Sequence, residues 1–177
     1  MIEVTIFIMH RHPIYIICNN IRSLYNVGAI FRTSDAANIK KLYLCGITGF
    51  PKDDPNWFQT KRIEKTALGA TKTVQWEYHR SAKRIVCSLK RKGIKIYVLE
   101  NTLHAMRYTD CDYSFPCALV LGHETKGVDN KLIKMADEVI KIPMYGTKTS
   151  LNVEVAYAIA VYNILDLLRN NFSSRNC

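Results

Sequence analysis

Short β-branched and aromatic runs alternate along this chain with segments whose apolar residues recur at helical spacing. Residues 14–18, 41–45, 94–99, 118–121 and 138–142 are each too short for a helix and read as buried strands. Residues 27–37, 81–92 and 153–168 carry helical periodicity between them. That order predicts a mostly parallel α/β sheet covered by helices on both faces. In the last helix Val153, Tyr157, Ala160, Ile164 and Leu168 form one apolar stripe, and Val155, Ile159 and Tyr162 lie on a neighbouring one. Such a helix is buried on two sides, either at the centre of its own chain or between its own core and a second subunit. The stretch GFPKDDPNWF at 49–58 reads as a surface loop, mobile rather than catalytic.

At 177 residues, with no repeat and no linker-like tract, the sequence predicts one domain over 1–177. Its longest apolar block, 155–162, falls short of the roughly 18 residues of a membrane span. Residues 1–9 are apolar, but they contain Glu3 and run into His10, Arg11 and His12, unlike a secretion signal. The expectation is a cytoplasmic protein without a membrane partner, with 1–13 either an ordered strand or a loose lead-in. The six cysteines, at 18, 45, 87, 111, 117 and 177, form no C-x-x-C pair, and no H-E-x-x-H accompanies them. No metal site is expected, and the thiols read as reduced and mostly buried.

Charge narrows the partner class. Twenty-five Lys and Arg against 15 Asp and Glu leave a net charge of +10, with a pI of about 9.4. That balance favours nucleic acid, with a merely basic enzyme as the alternative. Lys61, Arg62, Lys65 and Lys72 form one cationic cluster, with Glu64 as the only acid among them. Lys83, Arg84, Lys90, Arg91, Lys92 and Lys95 form another. In the second cluster Ile85, Val86 and Leu89 supply a core-facing stripe, so it reads as the solvated face of a helix. The first shows no such stripe and reads as a phosphate-contacting surface.

Three segments are dense in polar residues and glycine. In residues 19–36 a loop after a strand runs into a helix, with Asn26 as its expected N-cap and Arg32 on its second turn. Both could face the loop end of the sheet, or Arg32 could pair on the surface with Asp35. In 119–128 a buried strand breaks at Gly122 and presents Glu124, where glycine lets a ligand approach the backbone. In 140–153 a strand joins the final helix through hydroxyl residues, and Ser150 or Asn152 would cap that helix. The signatures G-x-G-x-x-G, G-x-x-x-x-G-K-[ST] and G-x-S-x-G are missing, which counts against dehydrogenases, P-loop NTPases and α/β-hydrolases.

Taken in order, the pieces N-x-x-x-x-x-R (26–32), L-G-x-E-x-x-G (121–127) and I-P-M-x-G-x-x-x-S-L-N-V (142–153) resemble the three motifs of the SpoU (TrmH-like) RNA 2′-O-methyltransferases of the SPOUT superfamily. The resemblance runs from about Ile14 to Leu168. It implies a doubly wound α/β fold with a C-terminal deep trefoil knot, an exception to the general rarity of knots. It also implies a homodimer that uses S-adenosylmethionine to methylate a ribose 2′-hydroxyl of tRNA or rRNA. Carried over, Leu121, Gly122, Ile142, Met144 and Leu151 would line the methyl-donor pocket. Glu124, Ser150 and Asn152 would complete its polar part, and Asn26 and Arg32 would meet the ribose, with Arg32 in the catalytic position. His123 and Glu154 depart from the commoner pattern, where Asn and a small residue stand. With no long RNA-binding extension in the sequence, Lys61, Arg62 and Lys65 with Arg22 would grip the RNA. Two other readings are a catalytically silent RNA-binding module and a methyltransferase acting on a base nitrogen. The five polar site residues argue against the first, and Arg32 with S-L-N-V against the second.

Overall fold

The computed structural model describes residues 11–173. Seven strands carry the architecture: β1 (His12–Asn19), β2 (Ile39–Cys45), β3 (Trp76–His79), β4 (Lys95–Leu99), β5 (Met106–Arg107), β6 (Cys117–Leu121) and β7 (Glu138–Lys141). They pair in the order β3-β2-β1-β6-β4-β7-β5, and every pairing is parallel. Parallel neighbours require crossovers, and the helices supply them: α1 (Leu24–Ala36), α2 (Phe58–Ala67), α3 (Ala70–Thr73), α4 (Ala82–Arg91), α5 (Asn130–Ile133) and α6 (Val153–Ser173).

Alternate residues of the central strands enter two separate cores. Ile14, Ile16, Leu42, Leu44 and Leu119 pack beneath α1, α2 and α6, whereas Ile17, Tyr43, Ile96, Val98 and Val120 pack beneath α4 and α5. The central strand β6 is buried at all five positions, which is why it reads as an unbroken apolar run. Strand order places the ends of β1, β6, β4 and β7 together, and there the three polar segments converge. Open parallel sheets bind ligands at that edge.

Several expectations need correction. The helix after β1 starts three residues earlier than its periodicity suggested, and its N-cap is Ser23, whose Oγ accepts from Asn26 N at 3.3 Å. Asn26 is therefore inside the helix, with its amide free for other partners. The cationic stretch around Lys61 is itself a helix with an inward face of Thr60, Ile63 and Ala67. That face escaped notice because only Ile63 in it is strongly apolar. Of the last helix, Tyr157, Ala160, Val161, Ile164, Leu165 and Leu168 are buried within the chain, whereas Val155, Ile159 and Tyr162 are exposed. Pro13 belongs to β1, so only residues 1–10 of the proposed lead-in lie outside the described residues, as does Cys177. The 49–58 loop is pinned rather than free-standing: Phe50 stacks on Tyr78 with centroids 4.3 Å apart, and Lys52 N donates to Thr60 Oγ1. Cys18, Cys45, Cys111 and Cys117 are buried and unbridged, as is the half-buried Cys87. Among the described residues no helix is long and apolar enough to cross a membrane.

Candidate active site

A cavity of about 340 Å³ opens at the C-terminal ends of β4, β6 and β7. Its walls are Leu99–Asn101 after β4, Leu121–Gly127 after β6, Lys141, Ile142 and Met144 after β7, and Thr149–Leu151 with Val153 and Ala156 leading into α6. All five residues expected to hold a methyl donor, Leu121, Gly122, Ile142, Met144 and Leu151, are on this wall. So are Glu124 and Ser150.

The backbone of the cavity floor is drawn tight at Gly122. A Cβ there would overlap the Gly127 carbonyl carbon and the Val128 nitrogen, so only glycine permits the approach. Around it the chain makes a narrow turn, with His123 N donating to Gly127 O at 3.1 Å and Gly127 N to His123 O at 2.9 Å. Glu100 clamps the far side of that turn, its Oε2 accepting from Val128 N at 2.7 Å. Asn101 ties down the loop before α6 by donating from Nδ2 to Thr149 O at 2.9 Å. Glu100 and Asn101 were not singled out from sequence; their position just after a parallel strand was the available signal.

Beside the cavity a chain of hydrogen bonds joins the three motifs. Glu124 Oε1 accepts from Asn26 Nδ2 at 3.1 Å and Ser23 N at 2.9 Å, and Oε2 accepts from Arg22 N at 3.0 Å. Because an ionised carboxylate only accepts, it sets the direction of the chain. Asn26 turns its Nδ2 to Glu124, so its Oδ1 accepts from Asn152 Nδ2 at 3.1 Å. Asn152 Oδ1 then accepts from Glu154 N at 2.9 Å, which makes Asn152 the cap of α6. Ser150 is exposed on the cavity wall and does not take the capping role. Glu154 reaches α1 instead, where its Oε1 accepts from Thr33 Oγ1 at 2.8 Å. Next to it Ser34 and Tyr157 share a buried hydrogen bond of 2.9 Å. These two contacts lock α6 onto α1 and account for the acid that follows Asn-Val.

Burial opposes ionisation of Glu124, but the donors from Arg22 N, Ser23 N and Asn26 outweigh it and hold the carboxyl below its ordinary range. With its folded pKa below the unfolded one, Glu124 contributes stability that is complete above the ordinary glutamate value, about 4.3, and is lost as pH falls through the folded value. Glu124→Gln, which sets an amide donor against backbone N–H groups, is expected to melt lower than wild type at neutral pH. The gap should narrow as the melts move below about pH 4. A gap of constant size down to acid pH would show that the carboxylate charge is not what holds the loop.

Arg32 is not brought into this group. It lies six residues beyond Asn26 on α1, roughly 9 Å along the axis and about 120° around it, so the two side chains do not share a face. It is exposed, with no ion pair or hydrogen bond among the described residues, and Asp35 accepts instead from Thr73 Oγ1. Arg22, Lys61, Arg62 and Lys65 are likewise exposed, on the surface formed by the start of α1 and by α2.

Residues 13–162 match the model of the SpoU rRNA Methylase family. The tRNA (guanosine(18)-2'-O)-methyltransferase of Escherichia coli K12 is 29% identical over 153 residues, which are 86% of this chain and 63% of that protein. The chain thus spans less than two thirds of that relative's length. Among solved structures, the Aquifex aeolicus TrmH/SpoU tRNA modifying enzyme superposes with a TM-score of 0.78 at 27% identity, covering 92% of this chain and 78% of its own. An AdoMet-bound rRNA methyltransferase from Sinorhizobium meliloti superposes with a TM-score of 0.74 at 25% identity, covering 86% and 57%.

Proposed function

The chain belongs to the SpoU rRNA methylase family, and on that premise we propose that it is a cytoplasmic enzyme that transfers a methyl group from S-adenosylmethionine to a ribose 2′-hydroxyl of tRNA or rRNA. One observation carries this reading: Asn26, Glu124 and Asn152, from three distant segments, form a single directed hydrogen-bond chain beside the cavity. The cavity fits the donor by its own chemistry. Its volume lies in the range of small-molecule sites, and its lining sets apolar Leu99, Leu121, Ile142, Met144 and Leu151 among polar groups such as Glu100, Asn101, Glu124 and Ser150, as a donor with both an adenine and a charged amino acid end requires. Leu121, Gly122, Ile142, Met144 and Leu151 would hold the donor, with Ser150 at its polar end. When bound, S-adenosylmethionine supplies an electrophilic methyl group on a sulfonium sulfur.

The chain's own task is to place a 2′-oxygen in line with that methyl and to dispose of the hydroxyl proton. Glu124 holds the β1–α1 loop and orients Asn26, and Asn26 and Asn152 together fix the end of α6 against α1. Arg32 meets the RNA rather than the donor. Its planar, permanently cationic fork suits it to clamp a phosphate beside the target ribose and to stabilise the charge developing on the 2′-oxygen. As the oxygen–methyl bond forms and the sulfur–methyl bond breaks, the hydroxyl proton passes to water.

The reading extends to assembly. The exposed Val155, Ile159 and Tyr162 stripe, with Leu151 at its head beside the cavity, is the surface a homodimer would bury. The chain would act as one domain, with the C-terminal part of the fold forming the trefoil knot that family membership implies. The test is methyl transfer from labelled S-adenosylmethionine to unmodified bulk tRNA and rRNA, followed by nucleoside analysis. A 2′-O-methylated nucleoside in either RNA is the expected product and names the substrate class. A base-methylated product, or donor binding without transfer to either RNA, would overturn the reading.

A further inference from the structure

The outward face of α2 combines two features that its charge alone does not explain. Phe58, Lys61, Arg62 and Lys65 recur at i, i+3, i+4 and i+7, so one aromatic ring and three cations share a single exposed stripe. Phe58 keeps 56% of its surface exposed although the apolar cluster of Phe50, Trp57 and Tyr78 lies beside it. The one acid of the helix, Glu64, is turned away from this face and accepts from Gly69 N and Thr71 Oγ1. Among the described residues none of Lys61, Arg62, Lys65 or Arg22 forms an ion pair, so the stripe keeps its full positive charge.

The stripe continues onto α1. Gly28 lets the two helices touch, since a Cβ there would overlap the Ile63 carbonyl oxygen and Thr66 Oγ1, and Thr66 Oγ1 also donates to Tyr25 O at 2.9 Å. This close packing sets Tyr25, 46% exposed, beside Lys65, whose Nζ stands 5.9 Å from the ring centroid. Tyr25 immediately precedes Asn26, and Arg22 N is one of the donors to Glu124, so this end of the surface abuts the candidate active site.

We propose that Tyr25 and Phe58 are stacking residues for unpaired RNA bases, making this face a single-strand platform that presents the neighbouring nucleotide to the active site. Aromatic rings flanking cations bind single strands, because an unstacked base offers a π-face that a duplex conceals. Arg22, Lys61, Arg62 and Lys65 take the phosphates between the stacked bases. The proposal rests on the methyltransferase reading for where the RNA is delivered, but not for the stacking itself.

The test is donor-free binding by fluorescence anisotropy, with a short unstructured RNA oligonucleotide and the same sequence annealed to its complement. Wild type should prefer the single strand. Tyr25→Ala and Phe58→Ala should each weaken single-strand binding about five- to tenfold, the loss of one stacked base, with duplex binding unchanged. Tyr25→Phe should bind as wild type, and Lys61→Ala with Arg62→Ala should weaken both probes, most at low salt. Both rings are exposed, so melting curves should stay in place. Equal losses on the two probes, no loss on the single strand, or a wild-type preference for duplex would overturn the proposal. Failure of the parent reading is distinct: ring-dependent single-strand binding without methyl transfer leaves the platform standing. Transfer to bulk RNA with kcat/KM untouched by Tyr25→Ala removes the platform and keeps the enzyme.

Discussion

Replacing Gly122 with alanine is expected to lower methyl transfer on the order of a hundredfold and to weaken donor binding in parallel. The added methyl would overlap backbone atoms of Gly127 and Val128 rather than a side chain that could swing aside. The turn must therefore open, and it is tied on its far side by Glu100 to Val128 N at 2.7 Å. Displacing such a cradle by about 1 Å is enough to cost about 10²-fold in rate. The fold itself should survive, because overpacking of this kind costs about 1–3 kcal/mol and the sheet beneath is unchanged. Calorimetric titration with S-adenosylhomocysteine, paired with a thermal melt, separates the two effects. Gly146→Ala is the control, since a Cβ there meets nothing within 4 Å. Donor affinity in Gly122→Ala equal to that of the control would mean that the donor does not sit on this floor.

Arg32→Ala should reduce kcat on the order of 10²- to 10³-fold, the range for losing one preorganised donor to a developing oxyanion. Donor binding should be unaffected, because Arg32 does not line the cavity. Arg32→Lys keeps the charge but loses the planar fork, so it should recover only part of the rate. A rate for Arg32→Lys close to wild type would remove the bidentate clamp.

What could be read from the chain, and what could not, follows from the range of the forces involved. β6 announced itself because all five of its residues are buried, and burial on both faces leaves an uninterrupted apolar run in the sequence. β3, at the edge of the sheet, has no buried residue and mixes Glu77 and His79 with its aromatics, so no local pattern marked it. The N-cap of α1 was misplaced because Asn26 suits a cap by composition. Its amide is instead claimed by Glu124 and Asn152, 98 and 126 residues away. Motif order drew Asn26 and Arg32 together as site residues, yet helix geometry sends their side chains to different faces.

The sequence by itself determined the alternation of strand and helix, the excess of positive charge and the identities of the polar residues in three segments. These follow from periodicity, composition and residue chemistry, which act within a turn or two of the chain. Only the tertiary structure decided that β6 inserts between β1 and β4, that Glu100 clamps the Gly122 turn through Val128 N, and that Tyr25 meets Lys65 across two helices. Each depends on contacts between residues far apart in the chain, whose energies no local pattern records.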